Sequence, residues 1–369
     1  MSLTASEQEA LRLRCKVHIS GHAPEEPGAE LARISEWCRA QGWHADRYGE
    51  GELIGSFETK VALLLGKPAA AFMVSGTMAQ LIALRIWCER AGHSRVAMHP
   101  TAHLELHEER AYTRLHLLDV TLLGPRERPT LAHDLAACHE RFAALLIELP
   151  AREIGGRLPE WPELEALAAL ARERGTKLHL DGARLWEAHE FYAPKTFADI
   201  CALFDSVYVS FYKGIGALAG AMLLGPEDFV AEARVWRRRQ GGTLVQLHPF
   251  VVSAAMRIDA QLAKMPAYRA RALAFAQALS ASDGFVVEPR PPQVNLFHLH
   301  LPAPAAAVTQ ARDQIAAEDG VWLAGRVGDA RVPGWSTIEI YVGDNLLAIE
   351  DAMVVPLYAK LLARARAAK

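Results

Sequence analysis

Apolar positions along the chain follow two alternating rhythms. Short, nearly continuous apolar runs (AAAFMV, RVAMH, RLHLLD, FAALLIEL, KLHLD, SVYVSFY and AGAMLLG) predict buried strands. Between them lie longer stretches with helical spacing. In ELARISEWCRAQG, Ile34, Trp37 and Cys38 share one face. IGSFETKVALLLG predicts a helix stopped by Gly66, MAQLIALRIWCERAG one stopped by Gly92, and Pro159 to Gly175 a further one. Strands alternating with helices at this spacing imply an α/β fold around a mainly parallel sheet flanked by helices. After Pro249 the rhythm changes to a long helical run over about 250–282. FVVEP, VNLFHLHL, a helix near 304–318, STIEIYVG and a terminal helix from about 346 come next, which is an α+β set.

The change of rhythm divides the chain into an N-terminal arm and helix over 1–45, a large domain over 46–250 and a smaller α+β domain over 251–369. Within the first part, HAPEEPGAE reads as the end of an irregular arm. The chain has 369 residues, 51% of them hydrophobic and 22% charged, an ordinary globular composition. Its net charge of −3 points to neither nucleic acid nor an anionic membrane as partner. No run approaches the ~18 apolar residues a membrane span needs, and the polar N-terminus shows no apolar signal core. The expectation is a cytoplasmic protein. Cys15, Cys38, Cys88, Cys138 and Cys201 are spread widely with no Cys-x-x-Cys pair, which argues against disulfides and a thiolate metal site. Only nine lysines accompany thirty-one arginines, so a catalytic lysine has few candidates.

Four polar interruptions at strand ends carry the candidate chemistry, because open α/β sheets bind ligands at those ends. Asp181 ends KLHLD beside Gly182 and would face a cleft, or cap the next helix. Lys213 comes after SVYVSFY and precedes a glycine turn. A buried lysine sheds its charge readily and so suits an amine nucleophile, whereas one at a strand end can simply reach water. Gly214, Gly216 and Ala219 also satisfy G-x-G-x-x-A, but the stretch GALAGAMLLG reads as a turn and a strand, not the helix of a dinucleotide site. Ser75-Gly76-Thr77 stands between a strand and a helix, where free N–H groups hold a phosphate or a serine merely caps. In MHPTAHLELHEE, His103 and His107 are spaced to share a helical face near Glu108. No third ligand is evident, so no metal is expected, and His99 and His107 read as surface histidines.

Together, RYGEGELIGSFE, FMVSGTMAQ, AHLELHE, LHLDGARLWEA and SFYKGIGALAGAMLLG resemble the fold-type I pyridoxal-phosphate enzymes. Within them the chain is similar to the threonine aldolase and aromatic amino acid β-eliminating lyase family, from about residue 46 to about 250. The resemblance implies a mainly parallel seven-stranded sheet with a smaller C-terminal α+β domain. It implies pyridoxal 5′-phosphate held by Lys213 as a Schiff base, with Asp181 on the pyridine nitrogen and His103 stacked on the ring near the substrate hydroxyl. Ser75, Gly76 and Thr77 would cradle the phosphate, with Ser210 and Arg238, or Arg239, as further phosphate contacts. Arg184 would meet the substrate carboxylate or a cofactor oxygen. The resemblance also implies a homodimer or homotetramer.

The departures are specific. VHISGH stands where the family has a segment close to LRSDT, so Ser20 is the candidate for its serine. ELPARE stands where ENTHN is common, and STIEIYVG lacks the arginine the family places on that strand. Arg152, Arg326 and Arg331 are the candidates to replace that carboxylate anchor, Arg152 first. The implied reaction is retro-aldol cleavage of a β-hydroxy-α-amino acid, L-threonine or L-allo-threonine, to glycine and an aldehyde. β-Elimination on the same cofactor is the alternative. A nicotinamide-dependent oxidoreductase and an inactive binding homologue are more distant ones.

Overall fold

The computed structural model describes residues 3–23 and 25–367. They form two compact units. The larger comprises Glu26–Glu153 and Arg157–Ala263; the smaller comprises the described residues of Met1–Glu25, Ile154–Gly156 and Lys264–Lys369.

Seven strands make the sheet of the larger unit: β1 (Ala69–Met73), β2 (Arg95–Met98), β3 (Asp119–Leu122), β4 (Ala144–Glu148), β5 (Lys177–Gly182), β6 (Ser206–Ser210) and β7 (Ala221–Gly225). Their order is β1-β7-β6-β5-β4-β2-β3. Only β7 runs antiparallel to its neighbours. Every residue of β6 and β7 is buried, which is why these strands read as continuous apolar runs instead of alternating ones. The helix Gly76–Ala91 connects β1 to β2, starting at the Ser75 cap and ending at Gly92 in the left-handed conformation. The helix Trp161–Glu173 buries Leu164, Leu167, Ala168 and Ala171, one stripe at helical spacing. Ile82, Ile86, Trp87, Met98, Leu146 and Phe229 are core residues between sheet and helices, with Trp87 stacked on Phe229 at 4.7 Å.

Parallel strands bring their carboxyl ends to one edge of the sheet. Glu148 lies opposite Asp181, and Asp181 opposite Tyr208. The smaller unit has a four-stranded antiparallel sheet in the order Val327–Asp329, Ser336–Tyr341, Leu296–Leu301, Val286–Glu288. Phe275, Leu279, Ile315, Tyr358 and Leu361, from three helices, pack with Phe297, Leu299, Ile338 and Ile340 in its core.

Three local expectations change. RLHLLD is not a strand: Ala111–His116 is helical, Leu117 turns at φ 55°, and β3 starts only at Asp119. Leu115 and Leu117 are 73% and 74% exposed while His116 and Leu118 are buried, so the run does not bury its leucines alike as a covered strand would. The N-terminal segment begins as a helix, Ala5–Arg14, because Thr4 and Glu7 form a reciprocal capping box. The run over 250–282 is three helices, His248–Ala255, Ile258–Leu262 and Met265–Ser280.

Candidate active site

Asp181 closes β5 with no exposure to solvent. Its Oδ1 accepts the Ala183 N–H at 3.0 Å, while Oδ2 is buried without a hydrogen-bond partner. Lys213 sits in the turn between β6 and β7. That turn is pinned at its base: the Phe211 N–H donates to the Gly220 carbonyl and the Ala217 N–H to the Phe211 carbonyl. Gly220 is required there. Its φ is 105°, and a Cβ would come within 2.2 Å of the Phe72 ring. Among the described residues the Lys213 amine has no hydrogen bond, and the Tyr212 ring lies 5.8 Å from it.

The electrostatics of the two groups are linked. Burial lowers the Lys213 pKa; Asp181 and Glu148 pull it back up, and Arg184 and Arg152 push it down. Burial raises the Asp181 pKa, opposed by Lys213, the Ala183 N–H, Gln80 and Arg184. Glu148, next to Asp181 in register, is raised by burial and then by Asp181 itself. Two neighbouring buried carboxylates disfavour each other's charge.

The turn Ser75-Gly76-Thr77 sits at the end of β1. The Ser75 hydroxyl accepts the Met78 N–H at 3.2 Å. A Cβ on Gly76 would lie 2.0 Å from the Tyr208 hydroxyl oxygen, so only glycine fits. The first N–H groups of this helix have no partner within it, as at any helix start. The Ser210 hydroxyl, at the end of β6, is buried and unpartnered. Thr77 donates to Glu108 Oε1 at 2.7 Å, and His103 Nε2 lies 3.4 Å from the same oxygen. Burial, followed by the cations Lys213, His107, Arg152 and Arg184, holds His103 down to about 4, so its imidazole is neutral. Glu108 is raised by burial, and its Oε2 has no partner. Arg184 precedes the helix Leu185–Tyr192 with its Nε buried and unpartnered. Arg152 Nη1 donates to Glu153 Oε1 at 3.2 Å.

Lys213, Asp181, Arg184, Arg152 and His103 are therefore within electrostatic reach of one another, and Glu108 ties Thr77 to them. Among the described residues, no group of three or more His, Cys, Asp or Glu could hold a metal. No helix among them is long and apolar enough to cross a membrane.

A structure from Listeria monocytogenes EGD-E, named a candidate L-allo-threonine aldolase, superposes with a TM-score of 0.89. It is 39% identical over 97% of this chain and 98% of that one. Aldolase vrtJ of Penicillium aethiopicum is 34% identical over 207 residues, covering 54% of this chain and 52% of that protein. The low specificity L-threonine aldolase of Escherichia coli K12 is 31% identical over 207 residues, covering 54% and 61%. The match thus spans between half and two thirds of these curated relatives. Residues 28–302 match the beta-eliminating lyase family. The chain belongs to that family. Its α/β architecture, with the smaller antiparallel sheet, is that of the fold-type I pyridoxal-phosphate enzymes.

In this member of the beta-eliminating lyase family, the remaining residues singled out from the sequence have other surroundings. Arg238 and Arg239 are exposed on the helix Glu227–Arg239, and Arg239 stacks over Trp236. Helical rotation turns Arg237 inward instead, where Nη1 donates to the Phe72 carbonyl at 2.7 Å. Arg326 and Arg331 are exposed in the smaller unit. Ser20, also in that unit, spends its hydroxyl on the backbone of Tyr341, donating to its carbonyl and accepting its N–H. Sequence reasoning overlooked Glu148 and Arg237, and considered Glu108 only beside a metal. Glu148 ends an apolar strand just as Asp181 does, and that signal was available.

Proposed function

We propose that this chain is a pyridoxal-phosphate-dependent carbon–carbon lyase. It cleaves β-hydroxy-α-amino acids, L-threonine or L-allo-threonine among them, to glycine and an aldehyde. One observation carries the reading: a half-buried amine without a hydrogen bond, Lys213, is electrostatically linked to a buried carboxylate whose Oδ2 has no partner, Asp181. Buried polar atoms are nearly always paired, so the orphaned Asp181 Oδ2 at a strand end is held ready for a ligand, with the Lys213 amine beside it. They fit pyridoxal phosphate. Lys213 would hold its aldehyde carbon, Asp181 Oδ2 its pyridine N–H, and the neutral His103 ring its face. Ser75, Gly76, Thr77 and the orphaned Ser210 hydroxyl would hold its phosphate. The bound group supplies an electron sink for negative charge at Cα.

The protein's own contribution is positioning. Arg184 offers a planar fork suited to a carboxylate, and its buried Nε lacks a partner. Holding the carboxylate there fixes which Cα bond is aligned for cleavage. Arg152 is the second candidate for the carboxylate. The L-threonine aldolases among the relatives favour aldol cleavage over β-elimination for this arrangement. We further propose a cytoplasmic homodimer or homotetramer. All five cysteines are free, which suits a reducing compartment. Tyr48, Leu63 and Val245 of the larger unit are 49%, 77% and 60% exposed, apolar surface that a second copy would cover.

The test combines spectrum and products. Wild-type protein mixed with pyridoxal phosphate is expected to absorb near ~420 nm. Lys213→Ala is expected to lose that band, and borohydride is expected to fix the label on Lys213 in the wild type. Incubation with L-threonine, L-allo-threonine, phenylserine and L-serine is expected to yield glycine and aldehyde. Ammonia and keto acid alone would assign β-elimination, and no colour in the wild type would refute cofactor binding.

A further inference from the structure

His107 stands apart from the residues that fit the cofactor. It comes directly after the short helix His103–Leu106, and its ring centroid lies 5.0 Å from that of His103. Its Nε2 is 2.8 Å from Glu153 Oε1, in the turn Arg152–Ile154 after β4. Arg152 Nη1 donates to the same oxygen at 3.2 Å, which holds the Glu153 carboxylate in place. A carboxylate on one imidazole nitrogen fixes the tautomer: Nε2 carries the proton and Nδ1 keeps its lone pair. Among the described residues, Nδ1 of His107 has no hydrogen-bond partner. Both side chains remain about a third exposed, at 30% and 29%, so a small substrate can reach them. The titratable and charged groups around His107 are His103 and Glu108 on its own segment, and Glu153 and Arg152 from the facing turn.

His103 is differently placed. Its Nε2 faces Glu108, and burial among cations makes it a weak proton acceptor. It suits a ring stacked on a cofactor better than a base.

We propose that His107 is the catalytic base that removes the β-hydroxyl proton of the substrate, and that Glu153 is its positioning residue. This deepens the carbon–carbon lyase reading and rests on it. In the step, the O–H bond breaks and its proton passes to Nδ1 of His107. The O–H electron pair becomes the second bond of the new carbonyl. The Cα–Cβ bond breaks, and its pair stays on Cα, for which the cofactor would supply the electron sink. The proton on His107 then leaves to solvent or to Cα.

The experiment uses the holoenzyme with L-allo-threonine and the variants His107→Gln, His107→Ala and Glu153→Gln. Loss of a general base is expected to lower kcat by about 10²–10⁴-fold, with KM changing by less than about threefold. Imidazole is expected to restore part of the His107→Ala rate. Glu153→Gln is expected to lower kcat by at least about tenfold, because an amide can stabilise either tautomer. Exchange of the glycine α-proton with deuterium uses no β-oxygen, so it reports the integrity of the cofactor chamber in each variant. A second readout needs no turnover. The ¹⁵N shifts of His107 in cofactor-free protein are expected to show a protonated Nε2 and bare Nδ1, with the tautomers mixing in Glu153→Gln. Wild-type kcat retained in His107→Gln, equal loss of cleavage and exchange, or a protonated Nδ1 would each overturn the assignment. If the wild type itself releases no glycine, it is the lyase reading that fails, whatever His107 does.

Discussion

Replacing Asp181 by asparagine keeps the shape of a fully buried side chain and removes its charge. The change has two effects of opposite sign. An opposite charge within ~4–6 Å supports a protonated partner by about 1–3 pKa units. At ~1.4 kcal/mol per unit, the pyridinium of the proposed cofactor would lose about 1.4–4 kcal/mol of support. That corresponds to a kcat about 10- to 1,000-fold lower for any step that places negative charge on Cα. Stability of the cofactor-free protein moves the other way. The folded protein holds the Asp181 proton more tightly than the unfolded chain, whose group titrates near 3.8. This contribution is therefore fully present below that value and lost as pH rises through the raised folded pKa. Above the raised folded pKa the burden of a buried charge remains, and asparagine removes it. Lys213 is not stranded by the change, because burial already favours its neutral form. Removing a buried ion pair as a whole ranges from neutral to ~4 kcal/mol stabilising, and with Lys213 able to shed its charge this exchange is expected to behave in that way. The expected result is a melting temperature at least about 2 °C higher at pH 8, with a smaller gain at pH 4. The assays are glycine release from L-allo-threonine and thermal scans of the cofactor-free protein at both pH values. A kcat within threefold of wild type, or a lower melting temperature at pH 8, would refute the reasoning.

Gly76→Ala places a Cβ 2.0 Å from the Tyr208 hydroxyl and 2.6 Å from its ring carbon. It is expected to cost about 1–3 kcal/mol in urea unfolding and to weaken cofactor binding. The added change Tyr208→Phe is expected to recover only part, and an unchanged urea midpoint in Gly76→Ala would show that no overlap exists. His179, fully buried with Nδ1 2.8 Å from the Ser206 hydroxyl, is pushed down by burial to about 3 from 6.5. Its folded pKa is depressed, so its contribution is complete above 6.5 and drains as pH falls toward 3. His103, held down to about 4, acts with the same sign. Urea unfolding at pH 7.5, 5.5 and 4.5 is expected to show a shallower acid loss in His179→Gln than in wild type; parallel losses would contradict the account.

Strand ends were the most readable part of the sequence. KLHLD and SVYVSFY are apolar because both faces of β5 and β6 are covered, so a charge appearing at their ends announces itself. That is how Asp181 and Lys213 could be singled out, and the cap at Ser75 is legible from local helix chemistry in the same way. The arginines were harder. One residue of helical rotation separates the buried Arg237 from the exposed Arg238, and a run of three arginines carries no marker of which faces inward. RLHLLD misled because two of its three leucines, Leu115 and Leu117, are exposed and only Leu118 is buried, so its apolar pattern does not report burial. The link between His107 and Glu153 spans 46 positions of sequence. Only the placement of the turn after β4 reveals it.

The sheet order has a consequence for how the chain is made. β1 pairs only with β7, so the first strand of the sheet to leave the ribosome has no neighbour until the last has emerged. About 150 residues separate them, some 8–30 s of synthesis at ~5–20 residues per second. Throughout that interval the Ser75-Gly76-Thr77 turn hangs on an unpaired strand. The segment that finally anchors it arrives immediately behind Lys213. Turn and lysine thus reach working order in a single event near the end of the large unit's synthesis, and a nascent chain truncated before Gly225 is expected to be unable to retain cofactor.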